Sequence, residues 1–196
     1  MWYKPIACDN TVKTPLICDY SNFEKFGFFE SDFRSGKEID NWPESIVFQA
    51  TQKRYDGEPD DVLQSGFMIP IFSQRLKDSL DNAGIRGIQY LPVIVKGERG
   101  NTFPGFYIAN ILHLVEAFDY VNSAYFMFPD DFPNPVKRGK LGGVMKYVLR
   151  STEIGDYDIF RLAEYNLAYF VSGQMKELFL EKEFSGYSFV QVDTLP

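Results

Sequence analysis

One histidine, His113, cannot supply the paired imidazoles that an H-E-x-x-H zinc site needs. A Ser-His-Asp triad would need its serine on a strained elbow such as G-x-S-x-G, and no such segment occurs. Read as a helix, Ile111, Leu114, Val115 and Phe118 form one apolar stripe, and His113 falls on the opposite, solvated face. A catalytic imidazole should face a cleft and be oriented by a partner, so His113 is a poor general base. Cys8 and Cys18 have no C-x-x-C or other metal-ligand spacing and are too few for a disulfide scaffold, which fits a reducing compartment.

Carboxylates cluster at Asp56, Glu58, Asp60 and Asp61, at Asp130 and Asp131, and at Glu153, Asp156 and Asp158. None of the three groups matches the calcium loop D-x-[DN]-x-[DN]-G, and solvated surface accounts for each. Acid-base pairs formed by carboxylates distant in sequence stay open, because sequence gives no separation between them. The segment Lys137-Arg138-Gly139-Lys140-Leu141-Gly142-Gly143 has phosphate-cradle ingredients, but its glycine pair precedes a strand where a Walker A loop precedes a helix. It reads as a flexible basic loop. Neither a cofactor nor a metal is expected.

These residues sit in a chain of 196 residues, 45% apolar and 17% aromatic. A domain of that length buries roughly 70% of the surface its unfolded chain exposes. Acidic side chains outnumber basic ones by 27 to 20, a net charge of -7. A field of that sign opposes binding to nucleic acid phosphates or anionic lipid and favours a basic partner. No apolar run follows a basic start in the opening residues, and nowhere do eighteen apolar residues follow one another, so a cytoplasmic protein is expected.

The elements that must carry these groups are mostly strands. Residues 1–57 form an aromatic, irregular N-terminal region expected to pack on a main domain of residues 58–196. Ile46 to Thr51, Ile88 to Val95, Phe106 to Ala109, Ala124 to Phe128, Val144 to Leu149 and Ile159 to Leu162 read as strands. Pro92 requires an edge position or a bulge. Asn110 reads as the cap of the short helix described above, and Pro129 to Pro135 as an exposed loop. Strands outnumber helices and most connections are short. The expected fold is therefore α+β, with a mixed, mainly antiparallel sheet and a few short helices.

One pattern occurs twice. Ile69 to Phe72 leads into Ser73, a helical spacing of Leu76 and Leu80, then Gly87 and a strand; Tyr169 to Val171 leads into Ser172, Met175 and Phe179, then Gly186 and a strand. The serine to glycine spacing is the same in both, and each serine is placed to cap its helix. A duplicated strand-helix-strand unit is the expectation.

Phe106 to Tyr120, Ile159-Phe160-Arg161-Leu162, Val171-Ser172 and Gly186-Tyr187-Ser188-Phe189 together resemble the bacterial immunity-protein-eleven family. The likeness spans roughly residues 60 to 193 and departs from the family's pattern in the first fifty residues and from Pro129 to Gly143. The resemblance implies a member of a polymorphic toxin system that binds and neutralises a cognate toxin domain, with no catalytic residues to carry over. Asp56, Glu58, Asp60, Asp61, Asp130 and Asp131 are then the candidate contacts with a basic toxin. Two other readings stay open: an enzyme using carboxylate, Tyr or Lys chemistry, and a structural or regulatory module that associates through its repeated unit.

Overall fold

β-Branched and aromatic runs set the strands in this computed structural model, which describes residues 1–7, 17–50, 59–97 and 100–196 and, within these, leaves the side chains of residues 17, 19, 20 and 64 undescribed. In chain order they are β1 (Trp2–Ala7), β2 (Ile17–Ser21), β3 (Val47–Ala50), β4 (Val62–Ser65) and β5 (Ile71–Ser73). The helix α1 (Gln74–Asn82) precedes β6 (Ile88–Lys96), β7 (Thr102–Ile111), β8 (Leu114–Val115) and β9 (Ala124–Met127). There follow β10 (Leu141–Lys146), β11 (Val148–Arg150), β12 (Ile159–Leu162), β13 (Tyr169–Ser172), α2 (Gly173–Glu181) and β14 (Tyr187–Leu195).

Strands β2, β3, β6, β7, β5 and β4 close into a barrel, and β11, β14, β1, β13, β12 and β8 form an open sheet in that order. β9 and β10 make a separate two-stranded arm. Antiparallel pairs predominate, so the fold is α+β and mainly sheet, as the sequence indicates. The barrel is filled by Phe23, Phe33, Phe48, Ile71, Val95 and Ile108. A second core lies between barrel and sheet, where Leu76 and Leu80 of α1 meet Met175 and Phe179 of α2. A third, around Phe118, Leu149, Phe160 and Phe170, lies on the sheet's other side. No helix among the described residues is long and apolar enough to cross a membrane.

The N-terminal stretch is woven into both sheets. β1 lies between β13 and β14, while β2 and β3 are barrel staves. Pro92 sits where β6 is locally an edge, because β3 pairs with β6 only from Ile94 onward, and the Trp42 indole donates to the Pro92 carbonyl at 2.8 Å.

The helix expected from Ile111 to Phe118 does not form. β7 runs through Ile111 and the chain continues as β8. Asn110 is not a cap: fully buried, it donates to the Lys37 carbonyl and Gln89 Oε1 at 2.8 and 2.9 Å. Ile111, Val115 and Ala117 are buried while Leu114 and Glu116 are exposed, an alternation of period two that ends at buried Phe118 and cuts across the helical stripe, to which Leu114 belongs. Pairing with β6 and β12 decides between them.

Candidate functional site

With that helix absent, His113 occupies a different place from the solvated one expected of it. It lies between β7 and β8, half-buried, its ring stacked on Tyr157 at 4.0 Å between centroids and its Nδ1 3.2 Å from the Ile159 carbonyl. These contacts wedge the imidazole between strands and supply no carboxylate to orient it. Among the described residues, no group of three or more His, Cys, Asp or Glu side chains could hold a metal ion. The segment from Lys137 to Gly143 forms the return of the β9–β10 arm, where the Lys137 ammonium lies over the Phe128 ring and Arg138 Nε donates to the Phe132 carbonyl at 2.7 Å.

The six acidic positions singled out in the sequence fall in different settings. Asp56 and Glu58 lie outside the described residues. Asp60 is half-buried, and Asp61 is buried at the head of β4. The Asp61 carboxylate accepts from Ser73 Oγ at 2.8 Å, from Arg75 through two nitrogens at 3.1 and 2.6 Å, and from the Ser185 amide at 3.0 Å. Those bonds occupy both oxygens and join α1 to the chain that follows α2. Asp130 and Asp131 are exposed in the turn of the β9–β10 arm.

That arm carries several of the exposed large apolar side chains among the described residues. Its strands pair only with each other, which leaves an outer edge on each side. Phe126 is 53% exposed, Val136 71% and Met145 74%, values that a buried sheet face would not show. The Phe126 ring lies across Gly142 and Gly143, where any β-carbon would overlap it, so the glycine pair serves close packing inside the arm. Beside the turn Leu141 is buried in the core that holds Phe118, and at the arm's base Ser123 Oγ receives the Val148 amide at 3.0 Å. The sequence showed a strand at Ala124 and a loop after Pro129. The pairing of β9 with β10 across the intervening turn is what it did not show.

The profile of the Immunity protein family (Imm11) matches residues 6–194. The chain belongs to that family. Its likeness reaches through the N-terminal stretch, beyond residues 60 to 193 where the sequence motifs carry it, in keeping with β2 and β3 as barrel staves. A search of the curated proteins gives no match. Membership of Imm11 suggests an immunity function, directed in general at a toxin, and a non-enzymatic protein.

Proposed function

We propose that this Imm11 protein acts in the cytoplasm as part of a polymorphic toxin system, binding one cognate toxin domain and occluding its active site without chemistry of its own. Family membership supports the immunity role. The observation that carries the binding mode is the β9–β10 arm, whose Phe126, Val136 and Met145 stand in solvent beside Asp130 and Asp131. Exposed apolar side chains on one element, with exposed carboxylates in its turn, have the make-up of a protein-binding surface. A standard interface needs about 800 Å² from each partner, and Asp60 together with the negative net charge assists the encounter with a basic toxin.

The test is a growth-protection assay against the toxin domain encoded beside this gene, paired with binding kinetics. Phe126→Ser with Met145→Ser should abolish protection while the protein stays folded. Asp130→Asn with Asp131→Asn should slow association, and raising the salt should slow it further, since charge steering is screened within about 8 Å at physiological ionic strength. Absence of binding to the toxin would refute the reading; binding that ignores the arm variants would move the interface elsewhere.

A further inference from the structure

In the β12–β13 pair Arg161 stands directly across from Tyr169, so both side chains occupy one face of the sheet. It is the face turned to the barrel, because Ile159 and Val171 on the same strands belong to the core shared with Phe72 and Leu76. Arg161 is fully buried. Its guanidinium carbon lies 5.3 Å from the centre of the Tyr169 ring and its Nη1 donates to the Asn166 carbonyl at 3.0 Å. Nε and Nη2 have no acceptor among the described residues. No ion pair among the described residues includes Arg161. Burial pulls its ionisation down to about 10; Tyr169 and Tyr187 oppose that shift, while Arg34 adds to it. A buried cation without a counter-ion is a costly arrangement, and no carboxylate among the described residues pairs with it.

Tyr169 is also a wall of a cavity of about 220 Å³ where the barrel rim meets the sheet, between Leu63, Ile69 and Pro70 on one side and Leu167, Tyr169 and Tyr187 on the other. The hydroxyls of Tyr169 and Tyr187 are hydrogen-bonded to each other. Two hydroxyls carry two hydrogens, and the bond between them uses one, so one O–H remains for an outside acceptor. At the rim Met68, 55% exposed, holds a left-handed backbone at φ 57°. A long side chain in that conformation is strained, and such strain gathers at ligand sites.

We propose that this cavity binds a carboxylate carried on a small apolar body, one oxygen accepting the remaining O–H of the Tyr169–Tyr187 pair and its charge offsetting that of Arg161, which lies over the Tyr169 ring outside the cavity lining. The volume is below the range of about 300–1,000 Å³ typical of cofactor and drug-sized pockets, so the occupant has the size of an amino-acid side chain or a small free acid. The apolar walls accept its carbon atoms. A phosphate would bring more oxygens than these few donors could satisfy. The site is independent of the toxin-binding role, and either can fail without the other.

Benzoate and its uncharged counterpart benzamide are the probes, titrated into the full chain while the methyl NMR signals of Leu63, Met68 and Leu167 are followed. Benzoate should give saturable shifts at these residues and bind about tenfold or more tightly than benzamide, the scale of a charge-assisted hydrogen bond. Tyr169→Phe with Tyr187→Phe, which retains the packing, should weaken benzoate by a similar factor. Competition by an end-blocked Gly-Glu-Gly peptide assigns the site to a protein side chain, and failure of that peptide to compete assigns it to free acids; both outcomes support the carboxylate site. Equal binding of benzoate and benzamide, no saturable shift at millimolar probe, or benzoate binding unaltered in the double phenylalanine variant would overturn it.

Discussion

The unit around Ser73 and the unit around Ser172 share one frame and differ in how it is tied. In each, a strand ends in a serine whose hydroxyl accepts the first free helical amide, at 3.1 Å from Leu76 and 3.2 Å from Met175. Both then run through a helix of 9 residues and return as a strand. The two strands of each unit flank a third antiparallel strand, β7 for one and β1 for the other. Ser73 and Val93 face Phe106 just as Ser172 and Val192 face Trp2. Even the aspartate is repeated: Asp61 and Asp158 each accept from the capping serine, at 2.8 and 2.9 Å. The difference lies one step outward. Arg75 reaches across to the carbonyls of Lys182 and Glu183 while holding Asp61, whereas Gln174, its counterpart, makes one 3.5 Å contact with the Ala83 carbonyl. Geometry is what the two units share; a duplicated origin is an expectation of the sequence alone. The contrast shows one backbone plan held by an arginine–aspartate ion pair on one side and, on the other, by an aspartate that no arginine joins.

The largest expected effect comes from the glycines that start the return strands. Gly186, at φ 102°, packs on the backbone of Val62, whose carbonyl carbon lies 3.0 Å from where a β-carbon would stand. Gly87, at φ 86°, faces the His113 ring, a side chain that can turn away. Gly186→Ala should therefore cost about 3 kcal/mol or more, combining backbone strain with overpacking, and Gly87→Ala about 2 kcal/mol. Urea denaturation measures both, and the reverse order would break the comparison.

Next comes the aspartate. Asp61→Asn should cost about 2 kcal/mol, because it weakens charge-assisted bonds to Arg75, and Asp158→Asn about 1 kcal/mol or less. Arg75→Gln makes the first unit like the second. In that background the cost of Asp61→Asn should fall to that of Asp158→Asn, and a cost that does not fall would show that Arg75 is not the source of the difference.

A smaller contrast, silent at neutral pH, involves Tyr169 and Tyr187, which stand where the first unit has Pro70 and Ile88. Burial pushes Tyr169 up to about 12 and raises Tyr187 as well. Below the ordinary value of 10 both states keep their protons. Above it the unfolded chain ionises first, so stability falls as pH rises from 10 towards 12. Arg161, lowered to about 10, opposes this in the same window, because there the unfolded chain holds more protons at that group. Two tyrosines against one arginine leave a net loss. Tyr187→Phe should flatten the alkaline decline in a denaturation series, and an unchanged slope would dismiss the pair as its cause.

Local signals made the two units legible, and long-range pairing hid the rest. The serine caps, Leu76 with Leu80 and Met175 with Phe179 are legible because capping and helical spacing act over a few residues. The repeated aspartate escaped because its distance to the serine is 12 residues in one unit and 14 in the other, which a gapless alignment cannot see. Ile111 to Phe118 misled for a different reason: Leu114 and Phe118 give its apolar residues a helical spacing, and the partner strands that decide are far along the chain. The arm and the cavity were illegible on the same ground. β9 meets β10 across a long turn, and the cavity joins Leu63 to Tyr187, residues that only the closed fold brings together.

The smallest effect tests how each helix ends. The residue after the first helix's terminal turn is Gly84, at φ 74°, and its counterpart is Glu183, at φ 52°, one of three non-glycine residues with positive φ among the described residues. A side chain in the left-handed region costs roughly 1–2 kcal/mol, which glycine escapes. Against this, glycine loses more freedom on folding, worth roughly 0.5–1 kcal/mol. The Glu183 side chain is exposed, and its carbonyl, which accepts from Arg75 Nη2 at 3.3 Å, belongs to the backbone and survives the change. Glu183→Gly should therefore raise stability by up to about 1 kcal/mol, read as a rise of a few degrees in melting temperature. The gain should persist in the Arg75→Gln background, since it comes from the helix end and not from the ion pair. A lowered melting temperature would mean that the left-handed glutamate is held by contacts beyond its backbone, and the two helix ends would then not be equivalent.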